Sequence, residues 1–489
     1  MVFRLISNYL KFKKMRKIKI LLIILAGAVV SSCKTEFSEE LPPITLPLDQ
    51  AITNEKVLNT AVNGLYNLYQ TSNDGVLNSY GALIPTLQEL LGDNSFVAIV
   101  NSNRFSATRD PNLIFYTQNS GDLATVWSTL YKIIANANFI LSYEGKIPDD
   151  SNTPGNPANQ FGQAYAVRAM AYFTLVTLFS DNFNGSNPDV GVPLPLVFKP
   201  GTNLPRSSVK QVYDQIFADL TNASARIGTA NGNKKFNAAA IDMLFSRYYL
   251  AIKDYAQANT YAQKVLDNSA YTLLPSSGVA DFFSVTGESN PEIIFQIDYN
   301  SLDLPGANDG ITATWSSTGR YKQNFATQAF FNKMGANDVR RGTWYRNTGY
   351  VLTLSDNPKP IDVMKYTVAD RDIVVMRKTE AIFNQLEALY YINPAEALLK
   401  LNNWVKGNRD ADYTYSGVGT DLLKEILMQK DIEMFLEGFR YSDLKRNGLD
   451  FKNPQTQVEL TTSKVQFKAF PLPQAELNTN ALLSQYPGY

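Results

Sequence analysis

The chain has 489 residues, with 45 lysines and arginines, 45 aspartates and glutamates, one cysteine and no histidine. Because histidine is the commonest general base and transition-metal ligand, its absence excludes Ser-His-Asp catalysis and the usual zinc sites. Seven basic residues and no acidic residue precede residue 33, so the remainder carries a formal charge of about −7. Without a basic run, this acidic body makes nucleic acid an unsuitable partner.

The first 32 residues have the layout of a signal peptide, in which a basic segment precedes the apolar run Ile20–Val30. That run is too short to span a membrane, which takes about 20 apolar residues. Two serines stand directly before Cys33, as a lipoprotein signal peptidase requires. The alternative is an ordinary signal peptide with a chance cysteine, but a lone thiol has no disulfide partner in an exported chain. We therefore predict lipidation at Cys33.

Beyond the cysteine, the sequence predicts a flexible, acidic leash over 33–50 and one domain over 51–489. Apolar residues recur at helical spacing in nine segments of that domain. Ser208 and Gln211 form a capping box at the start of one of them. The predicted helices are 54–70, 123–142, 161–180, 209–227, 238–251, 255–268, 376–391, 394–406 and 421–437.

The helices over 238–251 and 255–268 are predicted to form a tight pair, since the small residues Ala258 and Ala262 allow close packing. The second helix looks like the second helix of a tetratricopeptide repeat. A generic helical hairpin remains the alternative for one such unit. A similar pair is expected over 376–406.

Two stretches, 71–122 and 270–375, are rich in Asn, Ser, Gly and Asp and are predicted to be dominated by loops. The second contains a candidate strand at Glu292–Ile297 and, later, the segment Thr312–Tyr321. Long irregular insertions on a rigid scaffold usually carry function. The expected binding site therefore lies in these stretches.

Known catalytic and phosphate-binding motifs are absent or incomplete. The segment Gly417–Asp421 lacks the third glycine of a dinucleotide fingerprint and is interpreted as a turn before a helix. Glu433 and Glu437 would share a helix face and could serve as the two carboxylates of a glycoside hydrolase. The basic and acidic residues that follow favour a structural charge network instead, formed by Glu433, Glu437, Arg440, Asp443 and Arg446.

A carbohydrate site needs an exposed aromatic ring for stacking and polar side chains for hydrogen bonds. The two irregular stretches supply both types. Replacement of Trp315 by alanine is expected to weaken ligand binding without unfolding the protein. The candidate ligand-binding residues are Tyr80, Asn94, Phe96, Asn101, Arg104, Trp315, Arg320, Tyr321 and Trp344.

Several segments together resemble the SusD/RagB family of outer-membrane nutrient-binding lipoproteins from Bacteroidota. The longest is Asp431–Arg446, which looks like the family's main signature. The others are Ala61–Tyr66, Tyr131–Asn138, Ala164–Phe173, Pro291–Phe295, Phe470–Asn478 and Tyr486–Tyr489.

The resemblance implies a mainly α fold, with a tetratricopeptide-like helical scaffold and an irregular, loop-rich second subregion. It also implies a non-catalytic protein without cofactor or metal, anchored in the outer membrane by lipid and exposed on the cell surface. Its partners would be an oligosaccharide and a SusC-like TonB-dependent transporter, with the ligand bound near 75–105 and 290–345. The alternatives are a peptide-binding lipoprotein of the RagB type, a two-carboxylate glycoside hydrolase and a pure interaction scaffold.

Overall fold

The computed structural model describes residues 50–70, 79–98, 105, 108, 117–148, 156–185, 190–228, 231–304, 310–347, 349 and 359–489. The expected signal peptide and the lipidation residue Cys33 lie outside these residues. Within them, no helix is both long enough and apolar enough to cross a membrane. Residues Asn54–Tyr489 form one compact unit.

Helices make up most of the regular structure, and all nine predicted helices are present, with ends that differ by a few residues. A π-helical turn, Ser79–Leu83, leads into the second helix. The larger helices are α1 (Glu55–Gln70), α2 (Ile84–Leu90), α3 (Gly121–Leu141), α4 (Pro157–Phe179), α5 (Val209–Ser224), α6 (Ala238–Ala251) and α7 (Tyr255–Asp267). After the short α8 (Ile311–Trp315) and α9 (Gln328–Phe331) come α10 (Lys378–Ile392), α11 (Pro394–Asn408), α12 (Thr420–Met434), α13 (Arg440–Arg446), α14 (Val465–Lys468) and α15 (Gln474–Thr479).

Local sequence explains where several of these helices begin. At α5, the Gln211 amide donates to Ser208 Oγ at 3.1 Å, and the Ser208 amide donates to Gln211 Oε1 at 2.8 Å. These bonds satisfy amides that have no partner within the helix, and they confirm the predicted capping box. The side chains of Asn237 and Asp254 cap α6 and α7 by accepting bonds of 3.1 Å from the amides of Ala240 and Gln257.

The predicted helix pairs pack side by side. Ala258 and Ala262 of α7 are fully buried, which confirms that small residues line the contact with α6. Ala258 also shares a buried cluster with Leu250 of α6 and Ala388 of α10. A second cluster joins α10, α11 and α12 around Trp404. Successive helices therefore bury one another in order along the chain, as stacked helical repeats do.

A buried ion pair joins the earlier helices. Arg168 of α4 donates to both carboxylate oxygens of Asp219 on α5, at 2.8 and 2.6 Å, and to Asn138 of α3 at 2.6 Å. Burial raises the pKa of Asp219. These bonds hold α3, α4 and α5 together, because a buried charge is stable only with its partner in place.

The strands are short and lie mostly in the second half. They are β1 (Ser95–Val97), β2 (Ile293–Ile297), β3 (Asn324–Thr327), β4 (Tyr345–Arg346), β5 (Pro360–Val363), β6 (Ile373–Arg377), β7 (Phe451–Lys452) and β8 (Glu459–Leu460). In the described residues they form an antiparallel sheet of order β1-β3-β5-β4 and the pairs β2-β6 and β7-β8. The predicted strand at Glu292–Ile297 is thus confirmed. The segment Thr312–Tyr321 begins in α8 and contains no strand.

Candidate functional site

The four-stranded sheet joins the two irregular stretches. β1 comes from the first stretch and β3 from the second, with Ser95 opposite Ala326, Phe96 opposite Phe325 and Val97 opposite Asn324. The Phe96 and Phe325 rings stack with centroids 5.9 Å apart. Segments separated by more than 200 residues in sequence therefore lie within one sheet.

Five of the described candidate ligand residues are buried. A ring that stacks on a sugar must expose one face to solvent, and these rings do not. The expectation that they contact ligand therefore has to be corrected for this structure. The exposed fractions are 6 % for Tyr80, 6 % for Asn94, 2 % for Phe96, 0 % for Trp315 and 2 % for Trp344.

The two tryptophans have structural partners. Trp315 Nε1 donates to Thr86 Oγ1 at 3.1 Å, and its ring packs edge-on against Phe435 at 5.5 Å. Trp344 Nε1 donates to the Val279 carbonyl at 2.8 Å. Satisfied indole donors in closely packed surroundings are typical of core tryptophans.

Asn94 and Tyr80 also form hydrogen bonds with other elements of the fold. Asn94 Nδ2 donates to Asp431 Oδ2 at 2.5 Å, which links the first stretch to α12. The Tyr80 hydroxyl lies 2.8 Å from Thr174 Oγ1, and burial raises its pKa above the usual range. Both side chains join elements of the fold.

Arg320 and Tyr321 differ from the other candidates, because Arg320 is exposed and Tyr321 is only half-buried. The Arg320 guanidinium lies 5.8 Å from the centre of the Tyr321 ring. Their segment leads directly into β3 and is fixed by a 2.9 Å bond from the Tyr321 amide to the Ala313 carbonyl. Asn101 and Arg104 lie outside the described residues.

A buried asparagine, Asn324, follows this segment as the first residue of β3. Asn324 is 0 % exposed, and neither its side-chain oxygen nor its side-chain nitrogen has a hydrogen-bond partner within the described part of the chain. Leaving such a group unsatisfied costs on the order of 1–3 kcal/mol. Buried unsatisfied amides are uncommon, and at 0 % exposure this one is not accessible to a ligand in this structure.

Beneath the sheet, Glu433 forms the centre of a buried charge network. Its carboxylate accepts bonds from Arg409 at 2.8 Å, Arg377 at 2.9 Å and Arg340 at 3.2 Å, and all four side chains are 0 % exposed. Burial would raise the pKa of Glu433, but the neighbouring arginines hold it well below its usual range. Glu433 is therefore a permanent anion that pins three separate segments.

Glu437 extends this network to the cations of the irregular half. It accepts from Arg377 Nε at 2.8 Å and from Lys365 Nζ at 3.0 Å. Lys365 also donates to the carbonyls of Glu433 and Phe435, and burial lowers its pKa to about 8. The side chains of Glu433 and Glu437 are 0 % and 1 % exposed, so neither carboxylate can reach a substrate in this structure.

The remaining three residues of the predicted network also form ion pairs. Arg440 binds Asp93 of the first irregular stretch through two bonds of 2.7 and 2.8 Å. Asp443 accepts from Arg446 at 2.6 Å. A side chain at Gly92 would come within 2.7 Å of the Arg440 stem, so the neighbouring glycine allows this approach.

The partners of these acids were not apparent from the sequence. No sequence motif marks Arg340, Lys365, Arg377 and Arg409 as partners of these acids, and each meets Glu433 or Glu437 only through the fold. The described residues contain no group of three or more acidic, Cys or His side chains placed to hold a metal ion.

Comparisons with known proteins agree with this architecture. A family profile described as "Starch-binding associating with outer membrane" matches residues 36–250, and a profile described as "SusD family" matches residues 246–489. A SusD-like protein of Formosa agariphila is 22 % identical, covering 89 % of this chain and 92 % of its own length.

Solved structures give the same result at the level of the fold. The crystal structure of a SusD superfamily protein from Bacteroides vulgatus has a TM-score of 0.79 at 25 % identity and covers 90 % of this chain and 100 % of its own. Surface glycan-binding protein A from Bacteroides uniformis has a TM-score of 0.72 at 18 % identity and covers 88 % and 99 %. The similarity therefore extends over both the helical and the irregular parts.

Proposed function

Since the chain belongs to the SusD/RagB family of outer-membrane-associated binding proteins, we propose that it captures oligosaccharides and delivers them to a SusC-like TonB-dependent transporter. In this role it is non-catalytic. A structural relative of the same fold carries the name surface glycan-binding protein, which supports a glycan as the ligand class.

The observation that carries the proposal is the meeting of the two irregular stretches in one sheet. Arg320 supplies guanidinium donors and Tyr321 a partly exposed ring, and both precede β3. A ring and a charged donor are side-chain types that bind the apolar face and the hydroxyls of a sugar.

The buried carboxylates support a binding role over hydrolysis. A two-carboxylate glycosidase needs its acids on either side of the scissile bond. Glu433 and Glu437 instead share five ion pairs with arginines and a lysine inside the protein. The network joins separate segments of the irregular half to α12 and to the residues that follow it.

Location in the outer membrane follows from the family, and a lipid on Cys33 is the proposed means of attachment. Two or more acyl chains anchor a protein durably, whereas one chain holds it only marginally. The Cys33→Ser variant should therefore lose metabolic labelling with palmitate and leave the outer-membrane fraction. Retention of both would refute the lipid anchor and leave ligand binding untouched.

Isothermal titration tests the ligand class. The chain from residue 33 onward, carrying Cys33→Ser, should bind members of a neutral oligosaccharide panel and fail to bind a matched peptide panel. Tyr321→Ala and Arg320→Ala should each weaken binding by about tenfold, as loss of a single ring or donor often does. Lys210→Ala, whose ion pair with Asp214 is exposed on α5, is the control and should bind normally.

Binding of peptides alone would favour a carrier of the RagB type over a glycan carrier. The transporter is tested separately, by purifying the lipidated protein from native outer membranes in mild detergent. A TonB-dependent transporter should copurify in about equal amount. Its absence under conditions that retain glycan binding would contradict delivery to such a partner.

A further inference from the structure

The carboxyl group of Glu89, near the end of α2, is buried with one of its oxygens unused. Glu89 is 1 % exposed, and its Oε1 accepts a bond of 3.0 Å from the Leu436 amide. Its Oε2 is also buried and has no hydrogen-bond partner within the described part of the chain. An ionised carboxylate accepts bonds at both oxygens, and a buried charge without them is so costly that the group takes up a proton instead. The surroundings of Glu89 therefore favour its neutral form.

The cations nearest to Glu89 are paired with other acids. Lys365 donates to Glu437 at 3.0 Å, and Arg440 of α13 donates to Asp93 through bonds of 2.7 and 2.8 Å. Both cations favour the ionised form of Glu89, but they only partly offset the effect of burial, which raises the pKa of Glu89 well above its usual range. Glu89 thus lacks the close partner that an ionised group in the interior requires.

A second buried acid, Asp431 of α12, lies close enough to repel a negative charge on Glu89. Asp431 is the better supported anion of the two, because its Oδ2 accepts a bond of 2.5 Å from Asn94 Nδ2 and lies 3.6 Å from Arg440 Nε. Burial raises the pKa of Asp431 to about 6, so it is ionised at neutral pH. The nearby Tyr345 hydroxyl on β4 adds no charge, since burial raises its pKa well above its usual range. The two acids therefore carry one negative charge, on Asp431.

The residue that donates to Glu89 has a strained backbone. Leu436 is 0 % exposed and has a φ of +63°. This left-handed conformation is costly for a residue with a side chain, so the surroundings must hold it in place. Leu436 directly precedes Glu437, whose carboxylate accepts bonds from Arg377 and Lys365. The bond to Glu89 therefore holds the turn that places Glu437 in the charge network.

The backbone of Glu89 is bonded to the start of the sheet. Ser95, the first residue of β1, donates through its Oγ to the Glu89 carbonyl at 2.8 Å. The carbonyl of Asn94, one position earlier, accepts a bond of 2.9 Å from the Thr327 amide of β3. Glu89, Leu436 and Ser95 form what we call the Glu89 junction, which joins the end of α2 to the turn after α12 and to β1.

We propose that the Glu89 junction is a proton-dependent switch, in which the neutral carboxyl holds β1 and the turn at Leu436 against α2, and its ionisation loosens both while the helical scaffold stays folded. Ionisation places a second negative charge near Asp431, on a group whose Oε2 has no donor among the described residues. Because the pKa of folded Glu89 is raised, its contribution to stability is fully present below pH 4.5 and is lost as the pH rises through the raised value. Alkaline conditions therefore release the first irregular stretch from α2, whichever ligand the protein binds.

Glu89→Gln tests the protonation state, because an amide has the shape of the neutral carboxyl and cannot ionise. In the Cys33→Ser chain from residue 33 onward, the unfolding equilibrium constant measured with urea should increase between about pH 6 and 9, and Glu89→Gln should reduce that increase at least tenfold. The variant should also be no less stable than its parent at the alkaline end. Glu396→Gln, which alters a half-exposed ion pair, is the control and should keep the pH dependence of the parent. An unchanged pH dependence in Glu89→Gln, or its destabilisation at every pH, would overturn the proposal.

Hydrogen–deuterium exchange of the parent chain locates the change and requires no variant. After correction for the intrinsic exchange rate, amides of 84–98 and 434–440 should lose protection at least tenfold as the pH rises from about 6 to 9, while those of 238–267 should not. In Glu89→Gln, both segments of the junction should keep their protection over this range. Equal loss of protection in 238–267 would mean that the whole fold opens, and constant protection of 84–98 would mean that nothing is released. Either result would contradict the switch.

Discussion

The helical scaffold and the irregular half are stabilised in different ways. In the scaffold, neighbouring helices bury small and apolar side chains against each other, as Ala258 and Leu250 do between α6 and α7. The scaffold also contains the buried pair Arg168–Asp219, but in the irregular half such ions form a network that connects residues far apart in sequence. Arg377 and Glu433 are 56 positions apart, and Arg440 and Asp93 are 347 apart.

The two regions should therefore respond differently when a single side chain is substituted. Apolar packing weakens by degrees when one side chain is altered, because each contact contributes little by itself. A buried ion pair that loses one member leaves the other uncompensated in a low-dielectric interior. The irregular half should therefore be far more sensitive to the loss of one acid than the scaffold is to a change at one seam.

Glu433→Gln should have the largest effect on stability. The substitution leaves Arg340, Arg377 and Arg409 without their shared anion, which costs about 3–5 kcal/mol. Urea denaturation measures the change in free energy of unfolding. Glu396→Gln removes a half-exposed partner of Lys400 as a control and should change it by less than about 0.5 kcal/mol. Equal effects of the two substitutions would refute the distinction between the regions.

Trp315→Ala should destabilise the irregular half by about 3–5 kcal/mol, because the indole is fully buried. The sequence alone predicted weaker ligand binding with an intact fold. Thermal melting and oligosaccharide titration on the same sample separate the two expectations. An unchanged melting temperature together with weakened binding would instead support a role for Trp315 in ligand binding.

Ala262→Leu tests the scaffold seam and should cost about 1–3 kcal/mol through overpacking between helices. Ala256→Leu, on the exposed face of the same helix, should be nearly neutral. Chemical denaturation of both variants gives the comparison. If Ala262→Leu proved as damaging as Glu433→Gln, the scaffold would be no more tolerant than the irregular half.

Asp431 and Glu433, both on α12, should contribute to the pH dependence of stability in opposite directions. Burial raises the pKa of Asp431 from 3.8 to about 6, so its contribution is fully present below pH 3.8 and is lost as pH rises through 6. The pKa of Glu433 is held low, so its contribution is present above pH 4.5 and is lost as pH falls. Asp431→Asn should reduce the gain in unfolding free energy on acidification from pH 6 to 4 by about 2 kcal/mol. An unchanged slope between these pH values would contradict the raised pKa.

Helix positions could be predicted well, since apolar spacing and caps such as Ser208 act over a few residues. The binding residues could not. Aromatic and polar residues in a loop-rich stretch look alike whether they are buried or exposed, and Trp315 and Tyr321 differ only in where the fold puts them. Of the described candidates, Arg320 and Tyr321 retain access to solvent.

The sequence by itself determined the helical scaffold, the family signatures and the exclusion of histidine chemistry, because these depend on composition and on local spacing. Tertiary structure alone decided which acids and bases pair, which rings are buried and that β1 meets β3. Those outcomes depend on contacts across as many as 347 positions, for which neighbouring residues carry no signal. Glu433 illustrates both kinds of feature. Its position on a helix could be predicted from neighbouring residues, whereas its three arginine partners could not.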